Sequence, residues 1–317
     1  MNVRGWLVRL GPLLGLILVF LFFLIAVWMK TGRNSFATAG NLQTIALQSA
    51  IVGMAALGMT LIILAGGIDL SMGSVVALTS VVAAVLMKSR GWPAFPAACG
   101  AVLVGGLCGL TNGVLITRLQ VVPFIITLGT LLILRGAAKG LSKEQTVIPP
   151  PSAMDSLLDM SSVLPSGVWL LAVLAAGVSI VMRYTRFGRH LYAVGSNEAA
   201  ARLCGVPITR TKIQVYALGG LFAGIAGLFQ YSRLAMGDPT AAPGLELDVI
   251  AAVVIGGGSL AGGEASVLGS LVGALFMMTI RNGCSQMDWR NWVTEIVAGA
   301  IIIGAVALDR LRHRRGL

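Results

Sequence analysis

Ten apolar segments follow one another along this chain, at 10–29, 44–64, 73–87, 95–117, 122–138, 168–182, 213–231, 247–258, 265–283 and 292–308. A helix needs about 20 apolar residues to cross a bilayer, and most of these runs come close to that length. Lipid offers a backbone no hydrogen-bond partners, so each run must satisfy its own amides by coiling. The fold class that follows is all-α, a polytopic transmembrane helical bundle. The runs at 73–87 and 247–258 are short for a full crossing. They predict broken or re-entrant helices and a total of about 8–10 spans.

Composition agrees with that reading. Only 11% of the 317 residues are charged, against about 25% in a soluble globular domain. The whole chain, 1–317, therefore reads as a single transmembrane domain, and no soluble part of catalytic size remains. Glycine, at 41 residues, is about twice its average frequency, as close helix packing and helix breaks in lipid require. The net charge of +11 belongs to loops that orient the chain, because positive residues collect on the cytoplasmic side. It does not indicate nucleic acid, since no basic stretch interleaves aromatics in a polar domain. Cys99, Cys108, Cys204 and Cys284 have neither metal-like nor disulfide-like spacing.

Arg4 and Arg9 precede the first apolar run, and no convincing small-residue cleavage site closes it, so it is expected to be a retained first helix. With both termini in the cytoplasm, 13 of the 23 Lys and Arg fall on the cytoplasmic side, six of them within 183–212 and four in the last eight residues. The same scheme places 140–167, with Pro149, Pro150 and Pro151, outside as an ordered loop. An inverted repeat is a weaker expectation. Each half carries a Gly-Gly break and an Asn-Gly pair, Gly66-Gly67 with Asn112-Gly113 and Gly256-Gly257 with Asn282-Gly283. Inverted halves would suit alternating access.

The basic stretch 185–212 lies between two apolar runs and carries the signals of a short helix. Asn197 is a good N-cap and Glu198 sits in the first turn, where the helix dipole favours an acid. Gly205 suits the left-handed position after the last turn, and Pro207 blocks continuation. A helix of about two turns is marginal in water, so this one is expected to dock on a soluble partner.

Two breaks are the candidate positions for a solute path. The first contains Gly66, Gly67, Asp69 and Ser71. Asp69 or Ser71 either caps the next helix or lines the path; an ionised Asp at the bilayer centre costs about 2.5–3.5 kcal/mol, so Asp69 must face protein, water or an interface. The second contains Gly256, Gly257 and Ser259. It follows Glu246 and Asp248, which cap a helix start or meet a basic partner outside, and precedes Gly269 and Gly273, spaced for close helix packing. Asn112 and Asn282 complete the set. No GxxxxGK[ST] loop is present and only two His exist, so neither a phosphate loop of that kind nor a metal cluster is expected. Few acids lie in spans, which argues that the energy source is elsewhere. An ion-gradient-coupled secondary carrier of a small polar solute is the alternative.

The segments GGIDLSMGS at 66–74, GSNEAAARLCGV at 195–206 and GLELDVIAAVVIGGGSLAGGEASVLGSLVGAL at 244–275, then Asn282-Gly283, resemble the ribose-type (monosaccharide) permeases of ATP-binding-cassette (ABC) transporters. The likeness runs from about residue 40 to the C-terminus, with Gly258, Ala265 and Ser270 departing from the usual pattern. It implies the inner-membrane translocator of an importer for a monosaccharide or small polyol, with two permease copies, identical or paralogous. A cytoplasmic ATPase binds ATP, and a periplasmic binding protein delivers the sugar. By the same match Gly195, Asn197, Glu198, Ala200, Ala201, Arg202 and Gly205 are the ATPase-coupling residues. No catalytic, cofactor or metal site is expected on the chain itself.

Overall fold

The computed structural model describes residues 3–159 and 165–314, with side chains for 11–159 and 165–307. Arg315 and part of the predicted outer loop, 160–164, lie outside the described residues. Twelve α-helices run in order among the described residues: α1 Val3–Thr31, α2 Ala39–Leu64, α3 Met72–Arg90, α4 Ala94–Leu119, α5 Pro123–Ser142, α6 Ser166–Tyr184, α7 Arg186–Ser196, α8 Glu198–Leu203, α9 Ile208–Leu234, α10 Leu245–Ile255, α11 Val267–Gln286 and α12 Asn291–Arg314. Eight are long and apolar enough to cross a membrane, namely α1 to α6, α9 and α11. The chain is a multi-pass membrane protein.

The last apolar segment, read as a span at 292–308, is the 17-residue apolar part of α12, Asn291–Ala307. The segment at 247–258 stops early. Its helix α10 has 11 residues and rises about 16 Å, half the hydrocarbon thickness. Gly256–Gly258 then leave the helix, with Gly257 at φ 94°.

The arrangement is a bundle wound around α2. This helix is apolar on every side, and 94% of its most apolar window is buried by neighbours, as a central helix requires. Helices α1, α5 and α6 form the periphery and expose rows of large apolar side chains, such as Leu128, Leu132 and Ile133 on α5. In lipid that exposure carries no cost, and helix association rests on close packing instead. Two glycine seams supply it. Gly105, Gly109 and Gly113 of α4 lie directly against Gly220, Gly224 and Ile213 of α9. Gly269 and Gly273 of α11 lie against Gly256 and Ala252, as their spacing predicts. Hydroxyls join the centre: Thr60 of α2 donates to Ser270 at 2.7 Å, and Ser270 donates to the Ser266 carbonyl at 3.0 Å.

The link after α5 is ordered. A 3-10 turn at Ala153–Leu158 is closed by a Ser152–Asp155 capping box. Ser232 of α9 accepts from the Leu158 amide and donates to the Asp155 carbonyl, both at 2.9 Å. Val147 pairs with Gly237 beyond α9. This loop therefore lies at the C-terminal end of α9, while α7 and α8 precede its N-terminal end. The two ends are about 40 Å apart along a 27-residue helix.

Candidate functional site

Helices α7 and α8 form as their residues dictate. Thr185 and Asn197 cap them, Asn197 Oδ1 accepting from the Ala200 amide at 2.9 Å. At the far end Gly205 takes φ 78°, and the Gly205 and Val206 amides donate back to the Arg202 and Ala201 carbonyls. Lys212, at the start of α9, donates to Glu198 at 2.6 Å and holds its carboxyl below the usual carboxylate range. That contribution is complete at neutral pH and is lost only as acid protonates Glu198. Arg202 reaches the same carboxylate at 3.3 Å, but its side chain is 70% exposed, so the pair adds little.

The seven residues singled out on this element divide into two groups. Asn197, Glu198, Ala200, Arg202 and Gly205 are on the outward side or its edge. Ala201 turns inward against Val194 and Ile208, and Gly195 is wedged into the bundle. Leu203, which sequence reasoning passed over, is 90% exposed. It is the single large apolar residue of α8, EAAARL, and that was the signal for it.

Gly195 meets both breaks. Its α-carbon hydrogens face the Leu64 carbonyl, at the end of α2, and the Gly263 amide. The Gly263 amide donates to that carbonyl at 3.0 Å. A Cβ on Gly262 would come 3.0 Å from the Gly66 α-carbon and 2.8 Å from the Gly195 carbonyl oxygen. Three segments that lie far apart in the sequence, at Gly66, Gly195 and Gly262, thus cross backbone against backbone. Both glycine breaks lie at this same end of the bundle, whereas inverted halves would set them at opposite ends.

Beside the crossing, Asp69 Oδ1 accepts from the amide and hydroxyl of Ser71 at 2.8 and 2.6 Å, and Asn112 Nδ2 donates to Ser71 Oγ at 2.9 Å. All three are buried. Of the two predicted caps for α3, Asp69 takes up the Ser71 amide, while Ser71 makes no side-chain capping bond because its hydroxyl is turned to Asp69 and Asn112. Ser259 is likewise buried and accepts from the Ala261 amide at 3.3 Å.

Two cavities lie at opposite ends of α9. The larger, about 1050 Å³, opens between the end of α4, the start of α5, α8 and the first turns of α9, and is lined by Gln120, Glu198, Arg202 and Lys212. The smaller, about 520 Å³, lies among α2, α9, α10 and α11, with Gln48, Gln230, Arg233 and Asn282 on its wall. Of the path or break residues expected from sequence, Asn282 alone lines either cavity; Gly66, Gly67, Asp69, Ser71, Asn112, Gly256, Gly257 and Ser259 are packed in the break region or on α4. In the smaller cavity Asp248 and Arg281 form a two-point ion pair, with Arg281 Nη2 to Oδ1 at 2.8 Å and Nε to Oδ2 at 2.7 Å. The basic partner of Asp248 is therefore in the chain. Among the described residues no group of three or more His, Cys, Asp or Glu could hold a metal ion.

This architecture of apolar spans, glycine breaks and a helical loop matches one family model over residues 41–306, described as the permease component of a branched-chain amino acid transport system. The chain belongs to that permease family. Individual relatives extend the match to nearly the full length. The permease is 36% identical to the ribose import permease protein RbsC of Escherichia coli (strain K12), over 98% of this chain and 96% of the relative. It is 36% identical to the ribose import permease protein RbsC of Bacillus subtilis (strain 168), over 96% and 94%. It is 34% identical to the xylose transport system permease protein XylH of Escherichia coli (strain K12), over 95% and 91%. No solved structure matches the permease.

Proposed function

We propose that this permease forms the membrane pathway of an ABC importer for a monosaccharide or related small polyol. The ribose and xylose permeases that match it end to end support the substrate class. Nothing in the comparisons supports the gradient-driven alternative. The complex contains a cytoplasmic ATPase that binds ATP, a periplasmic sugar-binding protein, and a second permease copy. The protein resides in the bacterial inner membrane with both termini and the α7–α8 loop in the cytoplasm, where the basic residues of 183–212 belong. The permease itself is a transport subunit and hydrolyses nothing.

The observation that carries this reading is the crossing at Gly195. A surface element that exposes Leu203 and Arg202 outward is joined through Gly195 to the end of α2 and to the loop between α10 and α11. Displacement of α8 by an ATPase cannot be absorbed locally, because the three backbones touch. It must be passed to α2 and to the loop joining α10 and α11, and those three helices wall the smaller cavity at the opposite end of the bundle, which is how nucleotide-driven closure would switch access from one side to the other.

Purified permease with its ATPase and sugar-loaded binding protein, in proteoliposomes, tests the proposal. The full assembly accumulates sugar only with ATP, and the permease alone accumulates none. Arg202→Glu faces Glu198 with a like charge, and Gly205→Pro forces φ from 78° to about −65°. Both variants are expected to insert and assemble while losing at least ~90% of binding-protein-stimulated ATP hydrolysis, the loss of a docking contact worth about 1.4 kcal/mol or more. Normal stimulation in both would reject the coupling assignment; accumulation by the permease alone would reject the importer.

The cap makes a smaller, separate claim. Asn197→Ala removes the bond to the Ala200 amide and should cost about 1 kcal/mol of local stability. Faster hydrogen exchange confined to 198–204 is the readout.

A further inference from the structure

The smaller cavity, at the end of the bundle away from α7 and α8, has a wall unlike the rest of the interior. Five neutral amides, Asn41, Gln48, Gln230, Asn282 and Gln286, make up half of its polar side chains, beside Arg233, two hydroxyls and the Asp248–Arg281 pair. The amides and Arg233 come from three helices, α2, α9 and α11, and none of the sequence motifs except the Asn-Gly pair marks them. Two are held in place. Gln286 Nε2 donates to Asn41 Oδ1 at 3.0 Å, and Asn41 Nδ2 donates to the Phe36 carbonyl at 2.8 Å. One is left open: Asn282 is 7% exposed, lines the cavity, and its Oδ1 has no hydrogen-bond partner among the described residues. A buried amide oxygen without a partner is costly, so an acceptor retained at a cavity wall points to a donor that visits it.

From this wall we infer that the permease itself carries a recognition site for hydroxyl groups, a way-station for a neutral polyol between the outer mouth and the bundle centre. This rests on the importer reading above and deepens it. Each carboxamide offers donors and acceptors together, matching hydroxyls that both give and accept. The charge pattern agrees. Asp248 is neutralised by Arg281, and Arg233 makes no ion pair among the described residues. The wall therefore holds no unpaired carboxylate to retain a cation or an amine. A volume of about 520 Å³ falls in the range of small-ligand pockets. Ile51, Val52, Leu245 and Met278 supply the apolar part of the lining, suited to the CH face of a sugar. Apart from Arg233 and the Asp248–Arg281 pair the polar contacts are neutral and bind loosely, and a conducting site must release what it admits.

The test uses the complete assembly in proteoliposomes, with the sugar that the unaltered complex accumulates from a panel of pentoses, hexoses and pentitols. Asn282→Leu keeps the size of the side chain and removes its polar atoms; Gln48→Leu does the same at a half-buried position where folding is less at risk. Each is expected to retain stimulated ATP hydrolysis within about twofold while accumulated sugar per ATP falls about tenfold. An unchanged ratio in both variants overturns the site. Equal loss of hydrolysis and uptake in both also overturns it, since the residues would then be structural. If the unaltered assembly accumulates no member of the panel, the importer reading falls first, and this site with it.

Discussion

Gly195→Ala should abolish uptake by the assembled importer, a loss of about a hundredfold or more. The methyl group would collide with the Leu64 carbonyl oxygen and stand 2.6 Å from the Gly263 amide nitrogen. Neither neighbour is a side-chain end that can swing aside. Relief requires the α7–α8 element to move off the bundle or the 3.0 Å bond from Gly263 to Leu64 to break. Overpacking of this kind costs about 1–3 kcal/mol, and a buried backbone pair left unmade adds about 1–3 kcal/mol. A local crossing that carries the coupling cannot tolerate a distortion of that size. Gly129→Ala is the control, because nothing lies within 4 Å of a Cβ there and alanine is about 1 kcal/mol better in a helix. Uptake of the two variants, measured side by side at matched membrane expression, decides the matter. Activity of Gly195→Ala close to that of Gly129→Ala would show that the crossing transmits nothing.

The second large effect concerns Asp248 and Arg281. The aspartate side chain is 8% exposed and the arginine 33%, so the two partners are not equivalent. Arg281→Leu strands a buried carboxylate and should cost about 3 kcal/mol or more. Asp248→Leu leaves a guanidinium that reaches the cavity and its water, with an expected cost nearer 1 kcal/mol. Replacing both together with leucine should recover most of the loss, since two apolar groups need no partner. Thermal melting of the purified permease in detergent gives the order of the three variants. A double variant as unstable as Arg281→Leu would mean that the pair is not what holds α10 to α11.

The Asp248–Arg281 pair also shows where sequence reasoning stopped. Arg281 sits in an apolar span, a placement as costly as that of Asp69, yet the two ends of the pair are 33 residues apart and nothing in a one-dimensional pattern aligns them. The cavity wall is a similar case. Asn41 and Gln286 sit in polar stretches near helix ends, and Gln48 and Gln230 are polar residues inside helices, so none stands out alone. Only their convergence from α2, α9 and α11 gives them meaning. The α4 glycines at 105, 109 and 113 carry the same four-residue spacing that marks Gly269 and Gly273 for close packing.

What the amino-acid order determined by itself was everything local. Run length and the absence of water in lipid make the spans helical, and Asn197, Gly205 and Pro207 bound α8 through backbone geometry and capping within a few residues. The family motifs were readable for the same reason, being continuous. Tertiary structure alone decided the rest. That Gly66, Gly195 and Gly262 meet at one point, that Asp248 finds Arg281, and that Asn282 opens on a polar wall all depend on contacts between distant segments. Such contacts are set by which helix faces pack without voids in three dimensions, and the 3.6-residue period of each helix taken separately carries no record of its neighbour.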